Sequence, residues 1–291
     1  MTNEAQSRHA AFQAMRYEVI PMKGIDEQVQ CLPKGAVVTV TCSPRHGIDK
    51  SIELADRYRQ LGYHAIPHMA ARLVRDRRHL AQLVERLTAL GLEEVFVIAG
   101  DEARPEGEFE GALGVLEAMA DLPQRPQRIG IGSYPDGHPL LKPEQLTASL
   151  KAKQPYASYM VTQLCFDAEK IATWLADMRD QGITLPVYVG IPGLVERRKL
   201  FEIALRIGVG DSARFIRKHT NMAQELMAHD RYDPWELIMA ILEAVDRRGL
   251  EVAGFHVNTF NQVCATVDWR QECLDRLAVG AGDADPASRG R

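Results

Sequence analysis

The chain has 291 residues, 46% of them apolar and 25% charged, with a net charge of −4. That composition suits a globular protein long enough for one large α/β domain, and it holds no excess of base for a general nucleic-acid surface. No apolar run approaches the roughly 18 residues a membrane-spanning helix needs, and the polar start MTNEAQSRHA is unlike a secretion signal, so no membrane contact and a cytoplasmic location are expected.

Residues 1–14 read as a loose or helical lead-in. RYEVIP (16–21) has a β pattern stopped by Pro21, which puts Glu18 inside a strand. Alternation alone leaves it either inward-facing or pointing outward from an edge strand. AVVTVT (36–41) is a second strand, followed by a helix over about 49–61 with Ile52, Leu54, Ala55 and Tyr58 at helical spacing. HAIPH (64–68) is a third, followed by a helix over 76–90 whose Leu80, Leu83, Val84 and Leu87 share one face. The arginines 72, 75, 77 and 78 ahead of it read as a solvated helix start.

EVFVIAGD (94–101) is the plainest strand, with five apolar residues from Val95 to Ala99, then glycine and a carboxylate. Such a run reads as buried on both faces. After a helix near 109–121 come RIGIGSYPDGHP (128–139), a helix over 143–154, and SYMVTQ (158–163). Asp167 caps a helix ended by Gly182; LPVYVGIPG (185–193) follows, helices fill much of 194–247, and GFHVNTF (254–260) precedes a last helix. The expected organisation is a lead-in over 1–14, one barrel over 15–275 and a disordered tail over 276–291.

Eight strands alternating with helices is the count of a (β/α)8 TIM-type barrel. A doubly wound sheet would show a dinucleotide fingerprint after the first strand; the GxG pairs at Gly130/Gly132 and Gly208/Gly210 lack the third glycine and the setting. In a barrel the chemistry sits beyond the C-terminal strand ends. Those ends carry Glu18, Thr41, His68, Asp101, Tyr134 with Asp136 and His138, Gln163, Gly190, and Thr259 with Asn261. The set offers carboxylates, amides and an imidazole, but no nucleophilic triad order and no metal spacing. His64 and His68 share a face without a third ligand, so no metal is expected. The five cysteines are odd in number and unpaired in spacing, and read as reduced thiols, with Cys42 and Cys165 as small core residues.

The ordered pieces YEVIP, VTVT, IPHMAAR, VFVIAGD, GSYPDGHP, MVTQLCFD, VGIPG and HVNTFN, over about residues 15–265, resemble the catalytic barrel of methylenetetrahydrofolate reductase. The family's eukaryotic regulatory domain has no counterpart, which suggests a bacterial-type catalytic chain. The resemblance implies that Glu18 is the general acid that protonates N10 of 5,10-methylenetetrahydrofolate and opens its ring to a 5-iminium cation, and that Asp101 stabilises that cation. Burial inside the barrel is expected to raise the proton affinity of Glu18. The resemblance further implies substrate contacts from Gln163, Thr259 and Asn261, and cofactor contacts from Thr41, His68, Tyr134, His138 and Lys153. NAD(P)H, with NADH favoured, would be the hydride donor, and a tetrahydrofolate the partner substrate.

The departures concern the flavin. The family's Arg-Gly-Asp is Ala99-Gly100-Asp101 here, and its Asp-x-x-Asn-x-x-Arg-Lys run along the flavin tail is Leu146, Ser149 and Ala152 followed by Lys153. At the substrate end, the terminal Thr-Leu-Asn-Arg has become Thr259-Phe260-Asn261-Gln262, which removes an arginine. These losses resemble a flavin-independent subgroup, so FAD is expected to be absent. The alternatives are an ordinary FAD enzyme, the reverse oxidation of methyltetrahydrofolate, or a folate-binding relative without activity.

Overall fold

The computed structural model describes residues 3–206 and 231–282. Eight parallel strands close into a barrel: β1 (Arg16–Val19), β2 (Val37–Val40), β3 (His64–Ala70), β4 (Glu94–Ile98), β5 (Arg128–Ser133), β6 (Tyr159–Thr162), β7 (Val187–Pro192) and, after two short strands, β10 (Gly254–Asn258). Each pairs with its neighbours in chain order, and β10 closes the ring against β1, with Arg16 opposite His256 and Glu18 opposite Asn258. Seven lie within the segments the sequence pattern assigns to strands, and β3 starts where expected at His64 but runs two residues past His68.

Strand alternation divides the apolar residues into two clusters. On β4, Val95 and Val97 are fully buried against the outer helices, while Phe96 joins Ile66, Tyr159 and Val161 in a separate cluster inside the barrel. Gly130 makes room for that interior: a Cβ there would lie 2.3 Å from the Tyr159 ring. The outer helices bury the faces their spacing predicts. Helix Gly47–Gln60 turns Ile52, Leu54, Ala55 and Tyr58 inward, and helix Arg77–Ala89 turns Leu80, Leu83, Val84 and Leu87 inward. Asp76 caps the second of these, its side chain accepting from the His79 amide at 2.7 Å. Asp167 caps helix Ala168–Asp180 in the same way.

Some expectations are corrected. The segment expected to be mostly helical also contains β8 (Val195–Glu196) and β9 (Arg231–Tyr232), a small antiparallel pair beside the barrel. Two-residue strands are too short to leave a periodic signal. The lead-in is a helix, Asn3–Gln13, that packs on β10 and the last helix through the fully buried Phe12. The last helix, Val263–Gly282, runs into the stretch expected to be a disordered tail; the remainder, 283–291, lies outside the described residues. So does Gly210 with Gly208.

The cysteines are not all reduced thiols. Cys31 and Cys264 form a disulfide, with Cα atoms 5.1 Å apart and a sequence separation of 233. Barrel closure brings the loop after β1 beside the helix after β10, so the partners are neighbours in space although spacing rules see only local pairs. Cys42 and Cys165 are buried outside the disulfide, as expected of core residues, and Cys273 is buried as well. Among the described residues no helix is long and apolar enough to cross a membrane.

Candidate active site

Glu18 faces the barrel interior, which settles the orientation that alternation left open. Its Oε2 lies 3.0 Å from His256 Nε2 on β10 and 4.0 Å from His68 Nε2 on β3, and its side chain is 19% exposed. The two imidazoles are themselves buried, and Phe96 lies against both, with ring centroids 4.8 Å from His68 and 6.2 Å from His256. His256 Nδ1 and His68 Nε2 are buried without a hydrogen-bond partner. Burial drives the His68 imidazolium down to about 4, which outweighs the attraction of Glu18, so His68 is neutral near pH 7.

The expectation that burial raises the proton affinity of Glu18 is corrected. Burial does act upward, but the His256 hydrogen bond, with the electrostatic attraction of the two imidazoles, outweighs it and holds the carboxyl below its ordinary value. The sequence reading missed His256, although it lies in a segment used to place the last strand. The signal was present: a histidine two residues before Asn258 shares the inward face of β10.

Loop contacts fix the end of β1. The Thr259 hydroxyl, fully buried, donates to the Glu18 carbonyl at 2.6 Å, while Asn261 accepts from the Ile20 amide at 2.8 Å and donates to the Ile20 carbonyl at 3.0 Å. Thr259 and Asn261, expected to contact substrate, are thus engaged in holding the strand that carries Glu18. The loop between them is bent sharply, with positive φ at Phe260 (48°) and Asn261 (63°), a conformation that side-chain-bearing residues seldom adopt and that these clamps maintain.

The remaining candidates line the same end of the barrel, except Lys153, whose neighbour Gln154 bonds Gly182 ahead of β7 at the strand-start end. Asp101 is exposed just past β4, close enough to Tyr134 to add to the upward push that burial gives the phenol. Tyr134 and His138 meet edge to face at 5.0 Å, and His138 Nδ1 accepts from the Leu140 amide. Asp136 pairs with Lys170. Gln163 is half-buried beyond β6, its Oε1 accepting from the Leu164 amide at 2.9 Å. Thr41 presents a buried hydroxyl with no partner. Lys153 ends helix Pro143–Lys153, buried, with desolvation lowering its ammonium to about 8. Among the described residues no cluster of histidine, cysteine and carboxylates has metal-binding geometry. His64, the other half of the histidine pair weighed as a metal site, bonds Glu94 at the opposite end of the barrel.

The sequence profile of the methylenetetrahydrofolate reductase family matches residues 22–270. The chain belongs to the methylenetetrahydrofolate reductase family. A relative from Caenorhabditis elegans, described as a probable methylenetetrahydrofolate reductase (NADPH), is 30% identical over 128 residues, which is 42% of this chain and 19% of that protein. The aligned stretch therefore spans about a fifth of that relative's length. Among solved structures, dihydropteroate synthase from Burkholderia cenocepacia superposes with a TM-score of 0.45 at 13% identity, covering 92% of this chain and 93% of that one. A likeness at that level adds nothing to the topology already described.

The family implies a flavin, and this chain's residues fit one poorly. Ala99 is exposed and offers a methyl group, and its carbonyl is taken by the Arg72 amide at 2.9 Å. Helix Pro143–Lys153 presents Leu146, Ser149 and Ala152 at the positions that resemble the flavin-tail contacts, so one hydroxyl stands where the methylenetetrahydrofolate reductase pattern has an Asp, an Asn and an Arg. Lys153 is the one charged group kept there.

Proposed function

We propose that the protein reduces 5,10-methylenetetrahydrofolate to 5-methyltetrahydrofolate, with hydride passing directly from a reduced nicotinamide to the folate. The observation that carries this reading is Glu18, an inward carboxyl at the catalytic end of a family barrel whose side-chain partners are imidazoles rather than fixed cations. In this reaction Glu18, once protonated, gives its proton to N10. The bond from N10 to the bridging methylene breaks, and a 5-iminium cation forms. Hydride from C4 of the nicotinamide then adds to the methylene carbon, leaving oxidised nicotinamide and the N5-methyl product. One proton and one hydride are consumed per turnover, and water returns the proton to Glu18. Asp101, past β4, supplies negative charge toward the iminium.

Direct transfer is favoured by the flavin positions. Each charge-assisted hydrogen bond is worth about 1.5–3 kcal/mol. Losing three therefore costs about 4 kcal/mol or more, on the order of a thousandfold in affinity. The nicotinamide and the pterin must then be held together, because proximity replaces the flavin relay. The test is a spectrum and a rate matrix. The purified protein should be colourless near 450 nm, and initial-rate plots with both substrates varied should intersect. A yellow protein, or parallel plots restored by added FAD, would return the chain to flavin chemistry.

A further inference from the structure

Glu18 must bind a proton before it can give one, and its surroundings determine which oxygen carries it. Oε2 is held by His256 at 3.0 Å, the one side-chain hydrogen bond that the carboxyl makes among the described residues. The other nitrogen of that ring, Nδ1, is buried without an acceptor. Nε2 is the nitrogen that faces the carboxyl, so a ring hydrogen there gives Oε2 its donor. With that hydrogen His256 donates to Oε2 in both protonation states of Glu18.

We propose that His256 is the positioning residue of the acid: by occupying Oε2 it reserves Oε1 for the proton that goes to N10. This inference rests on the reduction proposed above. The backbone supports it from three sides. Thr259 holds the Glu18 carbonyl, β2 and β10 flank it through Thr39 and Asn258, and the His68 amide is fixed by the Ser51 hydroxyl at 3.0 Å, which keeps that ring beside the carboxyl. The titratable groups facing Glu18 are His256 from β10 and His68 from β3, and β4 contributes only the Phe96 ring. A hydrogen bond is stronger to a carboxylate than to a carboxylic acid. His256 thus also limits how far burial, made complete by bound substrates, raises the proton affinity of the acid.

The test compares the wild type with His256→Phe, which removes the donor, and His256→Gln, which keeps an N–H donor. For the wild type kcat should fall as pH rises past the titration of Glu18. In His256→Phe desolvation acts unopposed, so that falling limb should move up by about one pH unit or more, while kcat on the low-pH plateau drops about tenfold or more because the acid is no longer aimed. KM for the nicotinamide should change little, and His256→Gln should recover most of both losses. A limb that stays in place in His256→Phe, with only thermal stability lowered, would overturn the inference. Carboxyl ¹³C titration of Glu18 in the ligand-free protein, assigned with Glu18→Gln, reads the same shift without turnover. If the wild type fails to reduce methylenetetrahydrofolate, the proposed function falls; if the ¹³C titration is the same in wild type and His256→Phe, the role of His256 falls.

Discussion

Two glutamates point into this barrel, and their partners set them apart. Glu94, at the start of β4, is 1% exposed; Arg16 reaches it at 2.8 Å, His64 at 2.8 Å and Arg128 at 3.6 Å. The Arg16 guanidinium is held over the rings of Tyr159 and Tyr188, 4.3 and 3.8 Å from their centroids. Burial pushes the Glu94 carboxyl up, but the His64 hydrogen bond, the Arg16 charge and the weaker contacts bring it down to about 2. Glu18, at the other end of β1 from Arg16, has imidazoles alone. A guanidinium does not give up its charge in a protein, so a carboxylate bound to one stays ionised. A carboxylate held by an imidazole N–H keeps its place and can still take up a proton. In the proposed reaction the same residue type serves as a fixed strut at one end of the barrel and as a proton carrier at the other.

The comparison can be broken from either end. Glu18→Gln should lower kcat by about 10²–10⁴-fold, the usual contribution of a general acid, with thermal stability nearly unchanged; steady-state kinetics beside a melting curve checks both. Glu94→Ala should do the opposite. It leaves Arg16 buried without its partner and should destabilise the fold by about 3–5 kcal/mol, read by urea unfolding, while kcat of the folded protein stays within a few fold. The pH dependence has a definite sign. Because the folded carboxyl sits at about 2 against an ordinary 4.5, its stabilisation is complete above the ordinary value and is lost as pH falls toward 2. Glu94→Gln should lack that loss between pH 4.5 and 2.

Smaller effects sharpen the contrast. The disulfide joins the loop that follows β1 to the helix that follows β10, the two strands that bear Glu18 and His256. Reducing it with dithiothreitol should lower stability by about 2–4 kcal/mol, seen as a lower melting temperature. The smallest effect concerns Cys42. Burial first, then the charges of Glu102 and Asp101, push its thiol up to about 11. Alkylation in the native protein should therefore run on the order of a hundredfold slower than for an exposed thiol, by mass spectrometry. Rapid labelling would mean that the catalytic end is less acidic and more open than the structure has it.

The barrel was legible because its strands repeat one local pattern: EVFVI shows a strand buried on both faces without reference to anything distant. Glu18 was legible as an anomaly, a charge inside a strand, and its chemistry followed from resemblance. What local pattern could not supply was pairing across the closure. The β1–β10 seam brings together residues more than 230 apart, including Glu18 with His256 and Cys31 with Cys264. The same seam makes Thr259 and Asn261 clamps on β1, a role that local pattern did not show. The Glu18 proton affinity was misjudged for that reason, since burial was foreseen and the imidazole that opposes it was not.

The most direct test of the account follows the hydride itself. Nicotinamide deuterated at the transferred C4 position would be supplied with 5,10-methylenetetrahydrofolate in ordinary water, and the methyl group of the product analysed by mass spectrometry. Direct transfer predicts one deuterium in every methyl group formed by the deuterated donor, with none lost to solvent. Deuterium washed out into water, or a methyl hydrogen acquired from D₂O in the reverse labelling, would show an exchangeable carrier between the two substrates and contradict the account.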